Sequence, residues 1–135
     1  MINNSLIEIG ERLRTQDNLC TAQPMFCVQV QIRDYGYDTK WCDDYVWIDT
    51  EDGCREVPAP DDEEETEFIV KLGFKDHWET VMVAFTRKGC EEHLELNGHN
   101  YRHHRDVRIY VESFRRCPEM IAIRKYLMED CKCAG

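Results

Sequence analysis

The chain lacks any long apolar run: its longest, residues 81–85 and 120–123, fall far short of the roughly 20 residues a membrane span requires. It also lacks the short motifs that specify a reaction. There is no G-x-S-x-G, no Walker loop, no H-E-x-x-H and no G-x-G-x-x-G, so hydrolase, nucleotide-binding and zinc-protease readings have nothing to rest on. The first residues carry neither a basic stretch nor a long apolar one, so no signal peptide is expected and the protein is read as cytosolic. Glycine and proline are sparse, with 7 and 4 residues, and no linker or internal repeat is visible. At 135 residues a single domain is expected, with an apolar fraction of 42% that suffices for one core.

Positive charge is nearly missing from one place. Twelve of the 27 acidic residues fall in positions 43–67, where Arg55 is the only base. Elsewhere 15 acids face 16 bases, so the formal charge of −10 is a local property. Such a field repels nucleic acid and attracts basic macromolecules. Cysteine is plentiful, at 8 residues, but scattered and without a C-x-x-C pair, so most are expected as reduced thiols behaving as small hydrophobes.

Periodicity predicts a helix over residues 5–14, where Leu6, Ile9 and Leu13 recur at helical spacing and Ser5 caps the start. Residues 25–33 alternate Phe26, Val28, Val30 and Ile32 with Cys27, Gln29, Gln31 and Arg33, which predicts a half-buried strand. A turn follows at 34–40 and a strand at 45–49; residues 50–66 have the composition of a solvated loop. Residues 68–72 extend briefly before Gly73, and a further strand covers 78–85. Thr86 caps a helix from 87 to about 97, with Gly98 as its stop. A strand at 107–111 and a helix opened by Pro118 complete the chain. The expected fold is α+β, a roughly four-stranded, mainly antiparallel sheet with about three helices packed on one face.

Four clusters carry chemistry. Asp61, Asp62, Glu63, Glu64 and Glu65 form an unbroken acidic run, with Tyr45 and Trp47 nearby as aromatic anchors. Acids at nearly every position approach the charge density of DNA, roughly one charge per 1.7 Å of duplex. The plainer reading is a solvated loop that keeps the protein soluble. Clustered carboxylates also attract divalent metal, but the run has no glycine to fold it around an ion. Second, Cys90, His93, His99 and His103 follow the spacing C-x2-H-x5-H-x3-H, zinc-compatible ligands in no recognised finger pattern. Against zinc, Cys90 and Leu94 lie four apart and suit a buried helical stripe. Third, Cys131 and Cys133 stand close together in a tail expected to fray. Fourth, Asp76, His77 and Glu79 supply acid–base groups without a motif around them. The bases from residue 102 onward are too nearly balanced by acids for phosphate binding, since residues 68–135 hold 12 bases against 10 acids.

Three stretches together, residues 14–26 (RTQDNLCTAQPMF), 78–90 (WETVMVAFTRKGC) and 97–100 (NGHN) with 108–113 (RIYVES), resemble small bacteriophage and prophage accessory proteins. That group brings no catalytic residues; the resemblance implies expression inside an infected bacterium. The resulting expectation is a non-enzymatic binding protein, a host-takeover or anti-CRISPR-like inhibitor that imitates nucleic acid. Its acidic loop would engage a basic surface of a host protein or nucleoprotein complex, with neither nucleic acid nor membrane bound directly. The alternative is a small zinc-binding protein that uses the Cys/His cluster.

Overall fold

The computed structural model describes residues 4–38, 42, 44–51 and 53–131. In chain order the elements are helix α1 (Asn4–Thr15) and strands β1 (Pro24–Tyr37), β2 (Tyr45–Asp49), β3 (Arg55–Val57) and β4 (Ile69–Ala84). Helix α2 (Arg87–Asn97), a 3-10 turn (Gly98–Tyr101), strand β5 (Val107–Ser113) and helix α3 (Pro118–Glu129) follow. The five strands form one sheet in the order β3-β2-β4-β1-β5, with antiparallel β1–β5, β2–β3 and β2–β4 pairings. The α+β class is as expected, with a fifth strand added. That strand, β3, lies inside the segment expected to be loop; three residues give too short a pattern to be read from periodicity.

The chain divides into two compact units, and β1 and β4 each contribute residues to both. The first comprises Met1–Val30 and Glu79–Gly135. Its sheet buries Phe26 and Val28 against Cys90 of α2, with Met82, Ala84, Leu94, Val107, Ile109 and Val111 packed around them. Cys27 and Gln29, on the opposite side of β1, are buried as well. The half-buried strand expected here is therefore covered on both sides over residues 26–30. Gln29 tolerates this because it donates to Thr80 Oγ1 (3.1 Å) and accepts from Arg108 Nε (2.9 Å). A second cluster joins α1 to α3 through Leu13, Leu127 and Cys131, with Ile9, Phe85 and Met128 beside them. Cys131 is thus sealed in the core, where a frayed tail was expected; Cys133 lies outside the described residues. Thr86 caps α2 as expected, its hydroxyl accepting from Gly89 N at 3.0 Å. Pro118 opens α3.

The second unit is Gln31–Trp78. Here β1 runs on to Tyr37, through most of the predicted turn, while positions 39 and 40 lie outside the described residues. Strand β4 likewise passes through Gly73 without a break. Gly73 is buried opposite Tyr45, and an added Cβ would stand 2.6 Å from the Tyr37 carbonyl oxygen. Glycine sits in the strand because another backbone comes that close, which explains why it looked like an interruption. Trp47 and Ile48 supply the buried apolar side chains of this unit.

Candidate acidic interface

Strands β3 and β4 are joined by residues 58–68, and this connection carries the acidic run. Asp61, Asp62, Glu63, Glu64, Glu65 and Glu67 are all exposed. The connection is tied down by its own backbone and hydroxyl groups. Thr50 donates to the Phe68 carbonyl from both its amide (2.7 Å) and its hydroxyl (2.9 Å). Thr66 N donates to Ile69 O (2.9 Å), and Ile69 N donates back to Thr66 Oγ1 (3.0 Å). A turn closes where Glu63 N donates to Pro60 O (2.9 Å) and Glu64 N donates to the Asp62 carboxylate (3.2 Å). Glu63 adopts a φ of 51° there, a conformation that L-residues occupy at a cost of roughly 1–2 kcal/mol.

Three bases of this unit, Arg33, Lys71 and Lys75, are engaged elsewhere. Arg33 holds Asp76 through two nitrogens, Nε at 2.7 Å and Nη2 at 2.9 Å, and reaches Glu56 through Nη1 at 3.0 Å. Its guanidinium lies 3.6 Å above the Phe74 ring, so it crosses β4 to link β1 with β3. Donating hydrogen bonds to Asp76 raises the Arg33 pKa further, although burial works the other way. Tyr35 adds a 2.8 Å hydrogen bond to the same Glu56 oxygen. Lys71 covers Tyr45 at 3.7 Å and Lys75 covers Tyr37 at 4.7 Å. Among the described residues, no ion pair involves Asp61, Asp62, Glu63, Glu64, Glu65 or Glu67. Asp43 and Asp52, which belong to the acidic segment in sequence, lie outside the described residues.

The two expected aromatic anchors part ways. Tyr45 is 49% exposed and carries Lys71 on its ring, whereas Trp47 is 6% exposed. Trp47 is therefore a core residue and not an anchor: it sits mid-strand between Val57 of β3 and Lys71 of β4, where neighbours cover both sides. Phe68, which sequence reasoning passed over, is 44% exposed at the end of the acidic connection. Its signal was its position, directly after Glu67 and before a strand in which residues alternate.

The zinc-compatible set does not assemble. Cys90 is fully buried against Phe26 and Val28, and burial raises its thiol pKa to about 11, far from the thiolate a metal needs. His93 is spoken for by Tyr101 Oη at Nε2 (2.8 Å) and by Asn97 Nδ2 at Nδ1 (3.3 Å). His99 and His103 are exposed, and the His103 ring packs against His104 with centroids 4.0 Å apart. Among the described residues no group of three or more His, Cys, Asp or Glu side chains is placed to hold a metal. Cys90 and Leu94 belong to the packed face of α2, so the Cys90–His93 part of the spacing reflects helical packing, while His99 and His103 lie beyond the helix.

The acid–base cluster is likewise pulled apart. Asp76 is held by Arg33, while His77 Nδ1 stands 3.1 Å from Asp34, both side chains being largely exposed. Clefts of about 360 and 310 Å³ lie in the first unit along α1 and the start of α2, and neither is lined by Asp76 or His77. Several of their charged residues are paired: Arg12 with Glu8 and Glu92, and Arg87 with Glu91. Among the described residues, no helix is long and apolar enough to cross a membrane. Comparison of the chain with family models, with curated proteins and with solved structures found no match.

Proposed function

We infer that the protein is a binding protein without catalytic activity that uses residues 61–67 to engage a basic surface on another macromolecule. One observation carries the reading: six exposed carboxylates with no ion pair among the described residues sit on a connection that is pinned at its β4 end by hydrogen bonds and closed by a turn at Pro60–Glu63, while Arg33, Lys71 and Lys75 of the same unit are committed to other partners. Uncompensated charge of one sign steers encounter and raises association rate. Tyr45 and Phe68 add apolar contact area that a partner can desolvate. A basic groove that ordinarily holds phosphates is the best-matched partner chemistry, which makes the chain an imitator of nucleic acid rather than a ligand of it. Expression in a phage-infected bacterium belongs to the proposal and rests only on the resemblance of the three stretches named above.

The test compares the native chain with one neutralised at Asp61→Asn, Asp62→Asn, Glu63→Gln, Glu64→Gln and Glu65→Gln. Both are used to capture proteins from bacterial lysate over rising salt. Basic partners retained by the native chain, released by salt and missed by the neutralised chain are the expected result. Equal capture by both chains eliminates the proposal.

A further inference from the structure

Strand β5 ends the sheet, where β1 is its neighbouring strand. An end strand presents a row of unpaired N–H and C=O groups, and proteins ordinarily blunt such edges with charged side chains, lysine above all, with proline, a bulge or shortness, or with a covering segment. The other end of the sheet follows that rule, since β3 has only three residues. β5 is neither short nor broken: it runs seven residues, Val-Arg-Ile-Tyr-Val-Glu-Ser, with no proline, glycine or lysine, and its two charges, Arg108 and Glu112, are of opposite sign. It pairs with β1 without an offset from Pro24↔Ser113 to Val30↔Val107, so no bulge bends it.

The order of side chains along this edge is self-complementary. Arg108, Tyr110 and Glu112 alternate onto one face, the face that also carries Cys27 and Gln29 of β1. Tyr110 stands at the centre and is 44% exposed, with Arg108 stacked on its ring at 4.4 Å. Place a second β5 antiparallel to the first about Tyr110. Each Arg108 then falls opposite a Glu112 of the other copy, Tyr110 opposite Tyr110, and Ile109 opposite Val111 on the reverse face. A two-fold axis makes every contact occur twice. Shifting the register by two residues breaks both charge pairs, so the sequence selects one alignment.

We propose that the chain forms a two-fold dimer through β5, joining two sheets edge to edge with Tyr110 on the axis. The occupant is a second copy and not a foreign strand, because the charges that pair are both supplied by this strand.

The experiment is sedimentation of the full chain over a concentration series at physiological salt, where the Debye length of about 8 Å screens the overall negative charge. The native chain associates to a dimer. Arg108→Glu and Glu112→Arg each put like charges opposite one another twice and weaken association about tenfold. The double variant R108E/E112R restores it, and an equimolar mixture of the two single variants associates more tightly than either does alone. A loss of the Arg108–Gln29 hydrogen bond would weaken the single variant but would not produce rescue. Hydrogen exchange of β5 amides, more protected in concentrated than in dilute native protein, gives a readout that needs no substitution. A native chain that stays monomeric, β5 amides indifferent to concentration, or a double variant no tighter than the singles overturns the proposal.

Discussion

Replacing Gly10 with alanine should destabilise the protein, although the usual rule for helices says the reverse. Gly10 is buried in the middle of α1, at the crossing with α3. In an unobstructed helix the change gains about 1 kcal/mol of propensity. Here the added Cβ would collide with the Leu127 carbonyl oxygen and stand 3.0 Å from that of Cys131, both backbone atoms of α3 or its last turn. Backbone cannot rotate away as a side chain does, so α1 and α3 must move apart. That separation loosens Leu13 and Leu127, now 1% and 3% exposed, and the fully buried Cys131. Overpacking typically costs about 1–3 kcal/mol, and with backbone on the receiving side the upper end applies. The net expectation is a loss of about 1–2 kcal/mol, or roughly 3–8 °C in midpoint for a domain of this size. Gly98→Ala is the matched control. Gly98 has φ −56° and ψ −30°, ordinary helical values, and open space where its Cβ would go. That variant should gain about 0.4–1 kcal/mol. Urea unfolding of both variants reads the difference. A Gly10→Ala chain as stable as the native one would refute the close crossing of α1 and α3.

Trp47→Ala should cost about 3–5 kcal/mol, whereas Tyr45→Ala, two residues away, should cost about 1 kcal/mol or less, the scale of an exposed cation–π contact; chemical unfolding of the pair checks the inside–outside assignment in β2. Arg33→Met leaves Asp76 and Glu56 without their guanidinium and should cost about 1–3 kcal/mol in the same assay. Stability should also fall as pH rises from 9 towards 11. The Cys90 thiol ionises near 9.0 in the unfolded chain but only at about 11 when buried, so across that window the unfolded state alone gains charge. The contribution is fully present below pH 9, and a shift of about two units corresponds to roughly 2–3 kcal/mol. Cys90→Ala should flatten that part of the pH profile while lowering stability at neutral pH.

Elements with a strong period could be read from the sequence, and elements defined by contact could not. Leu6, Ile9 and Leu13 announced α1, Thr86 announced the start of α2, and Pro118 that of α3; each is a local signal with a local cause. Strand β3 escaped because three residues carry no period, and Gly73 misled because its reason is a neighbouring carbonyl rather than a turn. Gly98 misled in the opposite sense: it keeps a right-handed conformation and the chain continues into a 3-10 turn. At the candidate site, the acids were visible in composition, but the burial of Trp47 depends on which strands flank β2. The histidine spacing looked like ligands because helical packing and metal binding share the three- and four-residue repeat.

What composition could not decide is whether the segregated charge survives folding, since a negative segment beside a balanced remainder can be neutralised by its own chain. Arg33 shows where one strong cation of this unit goes. Arg33 is matched to Asp76 and Glu56, two acids outside the 61–67 run, and is held in place by the Phe74 ring. That placement satisfies a half-buried guanidinium with the shortest-reach carboxylates and leaves the exposed ones to water. An exposed pair with Asp61–Glu65 would have contributed little to stability, typically under 1 kcal/mol, so folding exerts no strong pull in that direction. The acidic connection therefore keeps its field because the energetics of burial spend the arginine elsewhere. Among the described residues, the carboxylates of that connection enter no ion pair that an incoming cation would have to displace.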